Sequence, residues 1–300
     1  MPTSVDPAAW FGQKSVLRVP PADLVLHPHQ TRPFHRLPAV SCVLDLIQLQ
    51  DPSPVIRAAK ALRLRASIRA AVALFTIASS VRDELISEFD IDPQSVSVLR
   101  LPVDPGAAAR IAAARAAAAP DRYLLAVGRF DRHKNLARLV EAFASSRFAA
   151  TGGRLHLAGG TVAQLGEMGA RESSGVRVLG YLNPAQLEAA MAGATALVQA
   201  SLIEGYGLPV AEALAAGVPV ASSPVPAVLE FGPPGVPTFN PRSVPAMREV
   251  IDETIDLIRA GRYWDRVDRV SWAARQPTVR TLAEEVLAGL ARVRPVGKPS

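Results

Sequence analysis

Residues 201–220 read Ser-Leu-Ile-Glu-Gly-Tyr-Gly-Leu-Pro-Val-Ala-Glu-Ala-Leu-Ala-Ala-Gly-Val-Pro-Val, and no other stretch constrains the chain as strongly. Two acids, Glu204 and Glu212, stand with seven residues between them around a glycine-rich turn. Pro209 suits the first position of a helix, where its fixed φ is already helical and its missing N–H would be unpaired anyway. Glu204 then falls in the loop before that helix and Glu212 in its first turns. Gly205 and Gly207 keep side chains out of the turn, so backbone N–H groups at the helix start can face an anion. Taken alone, the segment also fits an ordinary strand–turn–helix junction whose acids complement the helix dipole. An acid beside a phosphate-ready helix start suits a ligand carrying both hydroxyls and phosphates, as a nucleotide-sugar does.

A second segment points the same way. Residues 123–143 begin with the apolar run Tyr-Leu-Leu-Ala-Val, reach Gly128, and continue with Leu136, Leu139, Val140 and Phe143 at helical spacing. Arg129 and Lys134 therefore sit between the carboxyl end of a strand and the start of a helix, where open α/β sheets bind ligands. Two cations there can hold a diphosphate, the arginine through paired hydrogen bonds and the lysine as a point charge.

The wider chain reads as alternating strands and helices, which favours parallel sheets with helical crossovers. In the first part, strands are expected at residues 23–26, 39–44, 73–78 and 96–101, with helices at 55–73 and 81–89. Residues 106–119 are Ala/Arg-rich and helix-prone and read as a bridge. In the second part, strands are expected at 124–127, 155–158, 177–179, 196–199 and 219–221, and a terminal helix at 279–292.

Composition narrows the function. Three hundred residues are compatible with two domains and a substantial core. No uninterrupted apolar run is long enough to span a membrane, and residues 1–15 lack the apolar segment of a secretory signal. One cysteine, Cys42, excludes an internal disulfide and fits a reducing cytosol, so a cytoplasmic location is expected. The net charge of +6 invites a nucleic-acid partner, yet no reader motif is present and aromatics do not interleave with the basic residues; none is expected. The densest basic stretch, Arg57, Lys60, Arg63, Arg65 and Arg69, alternates with Ile56, Leu62, Leu64 and Ile68. It reads either as a solvated helix face or as a peripheral membrane contact through residues 55–73. Asp90-Ile-Asp92 before Pro93 reads as turn chemistry, not a metal pair. His27, His29, His35 and Cys42 match no standard zinc spacing.

With these segments in view, the chain resembles the retaining glycosyltransferases of family 4, which have the GT-B fold and an E-x7-E signature. Leu155-His-Leu-Ala-Gly-Gly160, Val178-Leu-Gly-Tyr-Leu182 and Ser271-Trp272 add to the likeness. It covers about residues 23–290 and is most specific from 121 to 230. The fold implied is α/β and GT-B-like, with two Rossmann-type doubly wound domains, the first truncated. Residues 1–105 would form a shortened acceptor-side domain, 106–120 an Ala-rich linker helix, and 121–278 the nucleotide-sugar-binding domain. Residues 279–300 would form a terminal helix and tail that can pack back on the first domain.

The resemblance also implies roles. Arg129, Lys134 and Glu204 would carry catalysis, the two cations stabilising the departing diphosphate and Glu204 holding sugar hydroxyls. Gly128, Leu179, Gly180, Tyr181, Gly205, Tyr206, Gly207, Leu208 and Glu212 would bind the donor, with Glu212 on the ribose and residues 179–181 near the base. Glu230 matches a family glutamate read as structural, and His133 adjoins the phosphate-side lysine. No cofactor or metal is expected beyond the donor itself. A hexose would pass to a glycan or lipid-linked acceptor in polysaccharide biosynthesis, with mannose from GDP-mannose as the first guess. Two features depart from the pattern. The usual opening strand and glycine-rich loop are missing, and Leu44 stands where the family places a histidine before Asp45. They keep open a non-catalytic nucleotide-sugar-binding subunit completed by a partner chain, or a GT-B-fold sugar-nucleotide epimerase.

Overall fold

A computed structural model describes residues 25–27, 39–117, 120–173 and 175–291. The start of the expected first strand, His29, His35, part of the expected linker and the last nine residues of the chain lie outside these. The described residues divide into two compact units, one of those within 25–77, 81–99 and 284–291, the other of residues 78–80 and those within 100–283.

Among the described residues the first unit holds four parallel strands in sequential order: β1 (Val25–His27), β2 (Ala39–Val43), β3 (Ala71–Thr76) and β4 (Val96–Val98). Parallel strands require crossovers; the Pro54–Arg69 helix makes the one between β2 and β3 and the Ser79–Phe89 helix the one between β3 and β4. Strand β2, Ala-Val-Ser-Cys-Val, is buried at all five positions, which fits a run of small and apolar residues without polar alternation. The Pro54–Arg69 helix starts where Ser53 accepts a hydrogen bond from the Ile56 N–H and Pro54 occupies the first turn. Within this unit Gly289, in the terminal helix Val279–Ala291, lies so close to Phe75 that an added Cβ would sit 2.4 Å from the ring.

The second unit is a five-stranded parallel sheet: β5 (Tyr123–Val127), β6 (Arg154–Ala158), β7 (Val176–Gly180), β8 (Ala196–Gln199) and β9 (Val220–Ser222), in the order β7-β6-β5-β8-β9. Leu136, Leu139 and Phe143 of the Leu136–Ala144 helix are buried against Met247, Ile251 and Ile255 of the Val244–Arg259 helix and the apolar residues of β5, β6 and β8. That stripe is the 3.6-residue pattern realised as core. The Pro105–Ala117 helix, read from sequence as a bridge, packs on the Pro184–Gly193 and Leu208–Ala215 helices of this unit. Arg110 forms a two-pronged ion pair with Glu188 (2.8 and 2.6 Å), and Arg115 donates to the Ala192 and Ala194 carbonyls.

Candidate functional site

All five strands of the second unit run parallel, so their carboxyl ends share one side of the sheet. From β5 the chain steps outward through β6 to β7, then returns to the other flank of β5 for β8 and β9. The loops leaving β5 and β8 therefore diverge, and such a switch point opens a crevice at the carboxyl ends of the strands. Lys134 lies in the loop after β5 and Glu204 in the loop after β8. The two meet there, Lys134 Nζ donating to Glu204 Oε1 at 2.5 Å.

Glu204 is held by more than the lysine. Gln199 Nε2, at the end of β8, donates to Oε1 at 2.5 Å and Ser201 Oγ at 2.7 Å, so three donors converge on one carboxylate oxygen. Gln199 also donates to Ser201 Oγ at 2.8 Å. The Lys134 and Glu204 side chains are only 15% and 11% exposed. An ion pair so far out of water persists only where geometry and further hydrogen bonds offset the lost hydration, as they do here. The other carboxylate oxygen takes no part in these three bonds. One of the three ammonium donors of Lys134 is committed to Glu204.

Lys134 is positioned by backbone. Residues Arg132–Lys134 form a 3-10 turn that ends at Asn135, whose φ of 60° is left-handed. Asn135 is buried, and its Nδ2 donates to the Ala200 carbonyl (3.1 Å) and the Pro241 carbonyl (2.7 Å), while Oδ1 accepts from Arg138 (2.9 Å). The Leu202 N–H donates to the His133 carbonyl at 2.7 Å. The β5 and β8 loops are thus stitched together directly beneath the Lys134–Glu204 pair. Sequence reasoning gave no role to Asn135, Gln199 or Ser201. The signals were present: an asparagine, which tolerates the left-handed region, between a basic turn and an apolar helix, and a glutamine closing an otherwise apolar strand.

Gly128 leaves β5 at φ 145°, and a Cβ there would lie 3.0 Å from Lys134 Cε, so its bare backbone makes room for the lysine stem. The Gly128 N–H donates to the Ala158 carbonyl and the Gly159 N–H to that of Gly180. A line of glycines therefore closes the ends of β5, β6 and β7. Gly180 (φ 76°) ends β7 beside the half-buried Leu179, and Tyr181 projects outward, 64% exposed.

The remaining expected residues are distributed around this pair. Arg129 does not join Lys134 and Glu204; its exposed guanidinium pairs with Asp131 at 2.7 Å. Gly205 is buried and Gly207, at φ 97°, caps the Leu208–Ala215 helix with Leu208 exposed, so Pro209 is the second helical residue. Tyr206 turns inward. It is 4% exposed, stacks on Phe231 with ring centres 5.1 Å apart, and donates to the Leu101 carbonyl at 3.3 Å. Burial pushes its phenol up to about 12, and only its backbone is left for a ligand. Glu212 lies in the helix, and burial, with Asp104 adding, raises its carboxyl above the ordinary value. Glu230 accepts from the Ser79 and Ser80 N–H groups at 2.7 and 2.9 Å. Burial raises its carboxyl, but these bonds outweigh that and leave it lowered. Asp92 accepts from the Gln94 N–H and caps a turn, as its place before Pro93 implied. Burial pushes the Cys42 thiol up to about 11.

Residues 121–259 match the family model described as Glycosyl transferases group 1. The GDP-mannose:cellobiosyl-diphosphopolyprenol alpha-mannosyltransferase of Komagataeibacter xylinus is 31% identical over 185 residues, 56% of this chain and 46% of that protein. The chain therefore spans less than half the length of this curated relative. Sucrose-phosphate synthase (tll1590) from Thermosynechococcus elongatus superposes with a TM-score of 0.69 at 18% identity, over 90% of this chain and 73% of that one. Anabaena Alr3699/HepE in complex with UDP and glucose gives 0.66 at 15% identity, over 85% and 72%. WaaG, a glycosyltransferase involved in lipopolysaccharide biosynthesis, gives 0.64 at 18% identity, over 93% and 79%. The chain has the fold of these GT-B glycosyltransferases. No helix among the described residues is long and apolar enough to cross a membrane.

Proposed function

We propose that this chain is a retaining, metal-independent glycosyltransferase of family 4 that moves a hexose from a nucleotide-sugar to a glycan or lipid-linked acceptor. The observation that carries the reading is the Lys134–Glu204 pair at the switch point between β5 and β8, its carboxylate clamped by Gln199 and Ser201. The match of residues 121–259 to a glycosyltransferase family model supports it. Glu204 and Glu212 are the two acids of the E-x7-E signature.

In the transfer, the bond between the anomeric carbon and the diphosphate breaks while a bond to the acceptor oxygen forms. The acceptor's proton passes to a leaving phosphate oxygen, so nucleoside diphosphate and glycoside are the products. Negative charge grows on the diphosphate, and preorganised donors aimed at it are the largest catalytic term. Lys134 supplies the nearest cation, Arg129 swings from Asp131 to add a second, and the backbone around Gly207 and Leu208 adds N–H donors. Glu204 holds sugar hydroxyls and offsets positive character at the anomeric carbon. Glu212 accepts from the ribose, and Leu179, Gly180 and Tyr181 flank the base. GDP-mannose is the favoured donor, on the likeness to a GDP-mannose-dependent enzyme.

The test is release of GDP or UDP from sugar nucleotides by the purified chain, with and without a polyprenyl-diphosphate-linked sugar, and with and without a chelator. Acceptor-dependent release that survives chelation and falls about 10²–10³-fold in Lys134→Ala is expected. Leu44, immediately after β2, favours a second reading, a binding subunit that requires a partner chain. Nucleotide binding without any turnover would select it.

A further inference from the structure

We propose that the outward face of the Pro54–Arg69 helix docks on an anionic lipid bilayer. The helix has two apolar faces. One, carrying Leu64 and Ile68, is buried in the first unit. The other carries Val55, Ala58, Ala59, Leu62 and Ala66, all exposed, at the i, i+3, i+4, i+7 and i+11 spacing that lines one side of a helix. Val55 is 79% and Leu62 70% exposed. A helix that merely meets water places polar residues at the centre of its outer face. Here the centre is apolar and the charges stand at its margins.

Those margins have one sign. Arg65 and Arg69 flank the stripe on one side and Arg63 on the other, while Arg57 lies on the opposite side with Leu64 and Ile68; the helix contains no aspartate or glutamate. Lys60 pairs with Asp51 at 2.8 Å, and the Arg65 guanidinium lies 5.7 Å from the Phe89 ring centre. Arg63 and Arg69 are exposed. Arginine stems run along apolar surface while their heads reach outward, so these side chains can meet lipid phosphates as Val55 and Leu62 enter the headgroup boundary. A bare polyanion such as nucleic acid would satisfy the arginines and leave the apolar stripe in water. A bilayer satisfies both. The inference stands on this helix alone and does not need the transfer reading, although a membrane surface is where a lipid-linked acceptor would be met.

Sedimentation with vesicles of phosphatidylglycerol and phosphatidylcholine, against phosphatidylcholine alone, tests it. Binding to the anionic vesicles that weakens with added salt is expected. Replacing Arg63 and Arg69 by glutamine should weaken it roughly fivefold each, about twenty-five-fold together at low ionic strength. Val55→Ser with Leu62→Ser should weaken it more than tenfold with all charges kept. Both variants change exposed positions, so their melting temperatures and nucleotide affinity should match the parent chain. Equal binding to both vesicle types would overturn the proposal. So would full binding by the double-serine variant, since the surface would then be a general polyanion contact. Neither result would touch the donor site, which nucleotide titration reads separately.

Discussion

Asn135 is the residue on which the geometry of the site turns, and its replacement has a cost that can be worked from the structure. Asn135→Ala removes the Nδ2 bonds to the Ala200 and Pro241 carbonyls, at 3.1 and 2.7 Å. Stranding each acceptor costs about 1–2 kcal/mol. Alanine at φ 60° adds about 1 kcal/mol of left-handed strain, which asparagine tolerates better. Arg138 is exposed and recovers its lost bond from water, so it adds little. The total is about 3–5 kcal/mol. Asn135→Gly loses the same two bonds but relieves the strain, so it should be less damaging than alanine by about 1 kcal/mol. Asn135→Asp aims a carboxylate at two carbonyls and should be the worst of the three. Urea unfolding followed by circular dichroism measures all three, and nucleotide affinity should fall in the same order because Lys134 rides on this turn. An alanine variant within 0.5 kcal/mol of the parent, or a glycine variant less stable than alanine, would refute the reasoning.

Other outcomes follow from the same contacts. Gln199→Ala deletes one of three donors to Glu204 Oε1 and should lower transfer about tenfold, as loss of a hydrogen bond to a charged group of about 1.5 kcal/mol requires, with the donor KM little changed. Glu212 is raised by burial and by Asp104 above the ordinary 4.5, so its ionised form is lost at a higher pH than a free glutamate's. Nucleoside diphosphate affinity should therefore fall as pH drops through that raised value, and Glu212→Gln should flatten the profile in calorimetric titrations. By the same sign, ionised Glu212 opposes folding at neutral pH, and that cost disappears below the unfolded value. Gly159→Ala would place a Cβ 2.5 Å from the Gly128 carbonyl oxygen at φ 109° and should cost at least about 2 kcal/mol in a thermal melt. Gly152→Ala, at φ 81° with open space around it, should cost only about 1 kcal/mol.

Much of this was legible in the residues. The apolar runs at 123–127 and 196–198 are strands because buried parallel strands need no alternation, and each is followed by the loop or helix that a crossover demands. Lys134 and Glu204 were readable as candidate site residues because each stands in a glycine-containing loop between a strand end and a helix start. Their direct pairing was not, since it depends on the strand order β5-β8, which two distant segments of sequence do not state. Tyr206 lies between two glycines that let its side chain point either way; only the Phe231 ring and the Leu101 carbonyl decide that it turns inward. Arg129 likewise could not be separated from Lys134 by charge alone. Asp131, two residues on, is what draws it aside. The outward apolar stripe of the Pro54–Arg69 helix was hidden for a related reason. Apolar residues occur on both of its sides, and which side is core is settled by the sheet beneath.

The most direct test of the proposed donor site is calorimetric titration of the chain with GDP and with UDP, each repeated on Lys134→Ala. The account predicts that one nucleotide binds at micromolar strength and that the substitution abolishes the binding. Equal affinity in parent and variant, or no binding of either nucleotide to the parent, would contradict it.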